Sequence, residues 1–197
     1  CKPPGFGEDA RCPMKALGLT GPCEFNLDTA FEDPQPGPGE VLVQVKACGI
    51  CGSDIHGMDG RSGRRQMPII MGHEAAGDIF AVGEGVTFDS TEYCGECEEC
   101  QRGQVNLCSN RKVLGVSPGT YRRHGCFAER IALPTRILYP IPDELSYAKA
   151  AFAEPVSIAL HAVNLADGID VGEAFTEEAG CGGESCGSCE EHAEPEA

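Results

Sequence analysis

Beyond Lys149 this chain of 197 residues contains no lysine or arginine. Ten of its 31 carboxylates lie in residues 167–197, so setting that segment aside reduces the net charge from −16 to −6. What remains is a mildly acidic sequence, and 41% apolar residues overall suffice for one core. An acidic balance argues against nucleic acid and anionic membrane surfaces as partners. No apolar run approaches the length of a bilayer-spanning helix, no signal peptide opens the chain, and there is no internal repeat. The first residue is Cys1 rather than methionine, which suggests a trimmed or fragmentary reading frame. The expected setting is cytoplasmic, with neither nucleic acid nor membrane as partner.

Thirteen cysteines would suggest a disulfide scaffold in a small secreted protein. Here the count is odd, the chain is longer, and six or seven of the thiols sit at metal-ligand spacings. Metal sites in a reducing compartment are therefore expected.

Three regions differ in texture. Residues 1–13 are polar, Pro/Gly-rich and unpatterned, an unstructured extension. Residues 14–166 carry the folded domain, and 167–197 form an acidic Gly/Cys-rich tail with the composition of disorder. Within the domain, Pro34, Pro36 and Pro38 close a loop, and Val41–Ala47 then alternates in the manner of a strand. Further strands are expected over Ala75–Val82, Phe127–Leu133 and Ile137–Ile141. Short strands at this density predict a mainly β (α+β) fold built as a partly closed barrel. Near residue 146 the period changes. Ser146 can cap a helix running to Ala153, and Pro155 suits the start of another over 155–165. Because the residue before proline avoids helical geometry, Glu154 is expected at a break between them.

Cys94-x2-Cys97-x2-Cys100-x7-Cys108 is the strongest motif. Four thiolates can enclose a tetrahedral Zn²⁺ completely, which leaves no open position and makes the site architectural. A second set is suited to chemistry. Cys51 and His73 are apt zinc ligands, with Glu74 and Glu154 as candidate oxygen ligands and an open position for substrate. Ser53 can aim a hydroxyl at the same point, His56 is placed to pass a proton to water, and Asp54 can orient His73. Each residue alone has a commoner structural explanation, a satisfied histidine, a turn or a helix cap. Their combination beside a four-cysteine lobe is what favours chemistry.

Pro38-Gly39-Glu40-Val41-Leu42-Val43, Cys48-Gly49-Ile50-Cys51-Gly52-Ser53-Asp54, Gly72-His73-Glu74, the Cys94–Cys108 lobe and Phe127-Ala128-Glu129 carry a family resemblance. Residues 14–166 resemble the GroES-like catalytic domain of the zinc-dependent medium-chain alcohol dehydrogenases. Glu154-Pro155, where many members have a cysteine, points to the sorbitol (polyol) and threonine dehydrogenase branch. The resemblance implies a GroES-like partly closed β-barrel with a structural-zinc lobe and short C-terminal helices. It implies two Zn²⁺ per chain, one catalytic on Cys51 and His73, with Glu74 or Glu154 binding directly and the other through water. Ser53 would bond the substrate hydroxyl and His56 would relay its proton. The implied reaction is oxidation of a small alcohol or polyol by NAD(P), in a family whose members can associate as homo-oligomers.

The chain also departs from the family pattern. A Rossmann domain should follow, and Val171-Gly172-Glu173 begins in that manner before giving way to acidic sequence. Gly180-Cys181-Gly182-Gly183 has no strand before it, no apolar helix after it, and carboxylates around it, so it is not expected to hold phosphate. The 197 residues are therefore expected to be the catalytic portion of a dehydrogenase, inactive alone. The alternative is a non-catalytic zinc-binding or interaction module derived from that family. Val82–Phe88 also runs about one strand short, which would expose an edge or require a neighbour to fill it. In the tail, Cys181-x4-Cys186-x2-Cys189 has plant-type [2Fe–2S] spacing but no fourth cysteine. It is expected to be incidental, ahead of a weak zinc site with His192 or a partial cluster motif. Cys1, Cys12, Cys23, Cys48 and Cys126 are expected to be packing or surface residues.

Overall fold

A computed structural model describes residues 13–116 and 123–166. The expected extension before Pro13 and the tail 167–197, with its three cysteines, lie outside the described residues, as do Cys1 and Cys12. The chain divides into two compact units, one ending at Val156 and the other beginning at Ser157.

The first unit is a curled half-barrel of short antiparallel strands. It opens with β1 (Met14–Gly21) and β2 (Glu24–Phe31), a hairpin that also pairs with β4 (Ile69–Ile70). Sequence periodicity did not mark this hairpin, because nearly every residue of β2 faces solvent and no amphipathic signal arises. The principal sheet has β3 (Glu40–Gly49) near its middle, flanked by β5 (Glu74–Ile79) and β9 (Arg130–Pro134). Beyond β5 come β6 (Gly85–Phe88) and β10 (Leu138–Pro140). A third, two-stranded ribbon, β7 (Thr91–Glu92) with β8 (Lys112–Val113), forms the base of the four-cysteine lobe.

All four expected strands are present with altered ends. The run Ala75–Val82 stops at Ile79, and the run from Phe127 pairs continuously only from Arg130. Ile137 lies in a 3₁₀ turn, so the last strand begins at Leu138. In β5, Gly77 allows the closest backbone approach, since a Cβ there would lie 2.0 Å from the Gln44 carbonyl oxygen, beside the bulge between Val45 and Ala47. The short Val82–Phe88 segment closes without a gap. It turns at Gly83 (φ 71°) directly into β6, and β10 covers the far edge of β6 through Leu138 opposite Phe88. The neighbour fills the edge.

The core contains Val43, Ala75, Val86, Phe88, Leu114, Cys126, Ile131, Leu133 and Ile137. Cys126 is thus a packing residue, Cys48 packs partly buried against the same core, and Cys23 sits in the β1–β2 turn at φ 58°. α1 (Gly52–Gly57) and α2 (Glu98–Gln101) belong to the two clusters described below. α3 (Tyr147–Ala151) starts at Ser146, whose Oγ accepts from the Lys149 N–H, and it packs Ala150 and Ala151 against Ala76 of β5. α4 (Ala153–Ala166) begins earlier than expected, so Glu154 lies in its first turn and not at a break. The reason is that first-turn N–H groups have no intrahelical acceptor, so Pro155 forfeits no hydrogen bond there. Among the described residues, no helix is long and apolar enough to cross a membrane.

Arg123 ties β9, β3 and the ribbon together, donating to Glu40 (2.7 Å) and the Ala132 carbonyl (2.8 Å) and forming an ion pair with Glu92 (2.8 Å). Burial by itself would raise the Glu40 pKa, but the Gly37 N–H and the Arg123 guanidinium together hold it below its ordinary value of 4.5. A lowered folded-state pKa contributes stability that is complete above pH 4.5 and disappears as pH falls through the folded value. Glu40→Gln is therefore expected to flatten the acid limb of stability below pH 4.5, measured by urea unfolding across pH. An unchanged slope would show that the pair carries no linkage.

Candidate metal centres

The four-cysteine lobe leaves the ribbon at Tyr93 and returns to it at Lys112. Tyr93 is clamped by Arg136, whose guanidinium donates to the Tyr93 carbonyl (2.9 and 3.2 Å) and lies 5.5 Å from its ring centroid. Cys97 stands at the N-terminus of α2, which places Cys100 one turn on, and a 3₁₀ turn at Val105–Leu107 delivers Cys108. The ligand atoms of Cys94, Cys97, Cys100 and Cys108 all lie within 4.8 Å of one another. Three of the sulfur separations are 3.6, 3.8 and 4.0 Å. A tetrahedron with Zn–S of ~2.3 Å has edges of about 3.8 Å, so the thiols fit Zn²⁺ without rearrangement.

The surroundings favour thiolate at Cys94 and oppose it at Cys100. Cys94 Sγ accepts from the backbone N–H groups of Glu96 (3.4 Å) and Cys97 (3.3 Å), and these lower its pKa to about 6. Cys100 is pushed up to about 12 by desolvation and by the neighbouring sulfurs of Cys97, Cys108 and Cys94. Like charges this close cannot all ionise unless a cation joins them.

The second cluster forms where β3 ends, β5 begins and α1 starts. Cys51 is the N-cap of α1, with its sulfur accepting from the Ser53 N–H (3.5 Å) and Asp54 accepting from the Cys51 N–H (3.1 Å). Gly72 (φ 89°) turns the chain into β5 immediately before His73, and a Cβ there would meet Phe127 at 2.6 Å and Cys48 Sγ at 3.0 Å. Glu74 pairs with Gly49 across β3 and β5 and lays its carboxylate over that glycine, where a Cβ would come within 2.5 Å of Oε2. The ligand atoms of Cys51, His73 and Glu74 consequently lie within 4.8 Å of one another, with His73 and Glu74 buried.

Ser53 Oγ is 3.4 Å from His73 Nε2. Asp54 is 2% exposed, and its Oδ1 is 3.7 Å from His73 Nδ1, a buried nitrogen with no hydrogen-bond partner. With Nδ1 turned toward a carboxylate, Nε2 is the nitrogen available to a metal. His56 is exposed on α1, three residues beyond Ser53. The sequence left Glu74 and Glu154 open as oxygen ligands, and only Glu74 joins the cluster. Glu154 Oε1 accepts from Ser90 Oγ (3.1 Å). Desolvation raises the Glu154 pKa, Ser90 and the charge of His73 oppose the rise, and Glu74 adds to it, so the carboxyl senses the cluster electrostatically.

Sequence reasoning missed Arg65. Its side chain is 3% exposed and donates to the Ser53 carbonyl (3.1 Å) and to Asp54 Oδ1 (3.2 Å). No spacing signal announced it, since it sits in a Gly/Arg-rich loop eleven residues from Asp54.

A half-barrel with one closed thiol cluster and one open Cys–His–Glu cluster is the architecture of a zinc-binding dehydrogenase domain. The alcohol dehydrogenase GroES-like domain matches residues 37–143, and the chain belongs to that family. Sorbitol dehydrogenase of Bacillus subtilis (strain 168) is 37% identical over 161 residues, covering 76% of this chain and 44% of the relative. L-threonine 3-dehydrogenase of Pyrococcus furiosus is 35% identical over 163 residues, covering 76% and 45%. Among solved structures, the short chain alcohol dehydrogenase of E. coli CFT073 complexed with NADH superposes with a TM-score of 0.69 at 32% identity, covering 78% of this chain and 46% of that one. The chain spans less than half the length of these relatives.

Proposed function

We propose that residues 14–166 are the catalytic half of a zinc-dependent alcohol or polyol dehydrogenase using NAD(P). The observation that carries this reading is the convergence of Cys51, His73 and Glu74 ligand atoms within 4.8 Å, with the Ser53 hydroxyl 3.4 Å from His73. Cys51, His73 and Glu74 would hold the catalytic Zn²⁺, and Cys94, Cys97, Cys100 and Cys108 the structural one. When bound, zinc at the first site supplies a Lewis acid that makes an alcohol proton acidic near neutrality. Ser53 would accept the hydroxyl proton while releasing its own, and exposed His56, one helical turn further along α1, would pass a proton on to water. Asp54 faces the His73 ring, while Glu154, fastened to Ser90, stands as a nearby second carboxylate. The small-molecule substrate class follows from the polyol and amino-alcohol dehydrogenases among the relatives. A reducing, cytoplasmic setting keeps the thiols available as ligands.

Metal analysis tests this reading. The wild-type chain is expected to bind two zinc ions and Cys51→Ala one. One ion in both proteins would sink the catalytic-site assignment.

The aligned residues correspond to 44–46% of the relatives' length, and a second reading takes them as a zinc-binding module without turnover. The 197 residues alone are accordingly expected to show little or no alcohol oxidation with NAD(P)⁺. Stoichiometric NAD(H) binding with turnover would overturn that expectation.

A further inference from the structure

We propose that Arg65 is a positioning residue for the Cys51–His73–Glu74 centre, acting through Asp54 and the Ser53 carbonyl. This rests on reading that centre as a metal site.

The Asp54 side chain reaches both halves of the cluster. Its Oδ2 accepts from the Cys51 N–H (3.1 Å), and its Oδ1 faces His73 Nδ1 at 3.7 Å. Two oxygens on one carboxylate leave a single rotation to be set. Turning the carboxylate plane to favour Cys51 moves Oδ1 relative to His73. Arg65 sets that rotation, because one guanidinium nitrogen donates at once to Oδ1 (3.2 Å) and to the Ser53 carbonyl (3.1 Å). The same nitrogen thereby fixes the carboxylate against the backbone of α1, and Ser53 is the residue whose hydroxyl approaches His73 Nε2.

The loop geometry is built around this contact. A Cβ on Gly57 would lie 2.7 Å from Arg65 Nη1 and 2.8 Å from Cζ, so a glycine in the last turn of α1 makes room for the guanidinium. Stability alone does not account for the arrangement. Arg65 Nε is buried with no hydrogen-bond partner, and buried ion pairs can often be replaced by apolar groups of similar size with no loss. An apolar side chain would fill the space, but it would not orient a carboxylate. The functional content of Arg65 is therefore directional. It holds the carboxylate that faces the imidazole, in the place of an outer-shell partner of a metal-ligating histidine.

The test uses the full 197-residue chain loaded with Co²⁺. The affinity of the second cobalt is read by chelator competition and its geometry by visible absorption. The thiolate-to-cobalt band of the four-cysteine lobe, assigned in Cys51→Ala, reports that the lobe is loaded, and far-UV circular dichroism reports that the half-barrel is folded. Arg65→Met is expected to weaken the second cobalt by about 10–100-fold and to shift its visible bands, leaving the four-thiolate band intact. Gly57→Ala, which displaces the guanidinium without removing its charge, is expected to act in the same direction. Arg65→Lys, which keeps a charged donor at this position, is expected to lose less affinity than Arg65→Met.

Wild-type affinity and spectrum in Arg65→Met would overturn the proposal. If Arg65→Met also loses the four-thiolate band, wild-type behaviour of Gly57→Ala would overturn it instead. A wild-type chain that takes up only one cobalt would reject the metal-site reading itself, and this proposal with it.

Discussion

Cys108→Ala is expected to release one zinc ion per chain and to unfold the four-cysteine lobe, while the half-barrel stays folded. The lobe has no apolar core of its own. α2 and the following 3₁₀ turn contain no buried residue, and Cys108 is the one fully buried position between Cys94 and Arg111. The forces left to it are a few backbone hydrogen bonds and the attraction of four sulfurs for a common cation. Structural zinc in small peptide sites carries roughly 10–16 kcal/mol of apparent binding free energy, more than a segment this short can replace. The damage should stop at the ribbon, because Leu114 is fully buried in the core and Arg136 grips Tyr93 from the barrel side. Limited trypsin digestion checks this. Rapid cleavage at Arg102 and Arg111 is expected in the variant and protection in the zinc-loaded wild type. Two retained zinc ions with unchanged protection would refute the architectural role of the lobe.

Asp54→Ala is expected to cost about 3–5 kcal/mol, because it strands the Arg65 guanidinium in a site where only 3% of that side chain meets water. Domains of this size have about 5–15 kcal/mol in total, so the loss would be visible as a large drop in the urea midpoint. The Cys51 N–H also loses its side-chain acceptor, which loosens the start of α1. The double variant Asp54→Ala/Arg65→Met removes the stranded charge and should recover part of the loss. Full additivity of the two single changes would mean that the charges are not coupled. Second-site metal affinity should remain weak in the double variant even as stability returns, which separates the structural effect from the positional one.

The fold was legible where alternation met burial. Val41–Ala47 reads as a strand because it threads the centre of the principal sheet, with Leu42 and Val43 buried. The β1–β2 hairpin was not legible, because β2 packs only one edge and shows water nearly all its side chains. Glu154 was misplaced by a rule about prolines that is relaxed in the first turn of a helix. The four-cysteine lobe was legible from spacing alone, since its ligands lie within fifteen consecutive residues and local turns suffice to gather them. The second cluster could be named but not assembled. Cys51 and His73 are twenty-two residues apart, and their meeting depends on β3 pairing with β5 in the register that sets Gly49 opposite Glu74.

The sequence by itself determined the family, the mainly β character and the set of side chains able to bind metal. These are properties of residue type and short-range spacing. The tertiary structure decided which carboxylate joins the cluster, Glu74 and not Glu154, and which cation stands behind it. The reason is physical. A ligand shell and its supporting contacts are defined to within an ångström by sheet register, a glycine turn at Gly72 and the room left by Gly57, and none of these leaves a periodic trace in the chain.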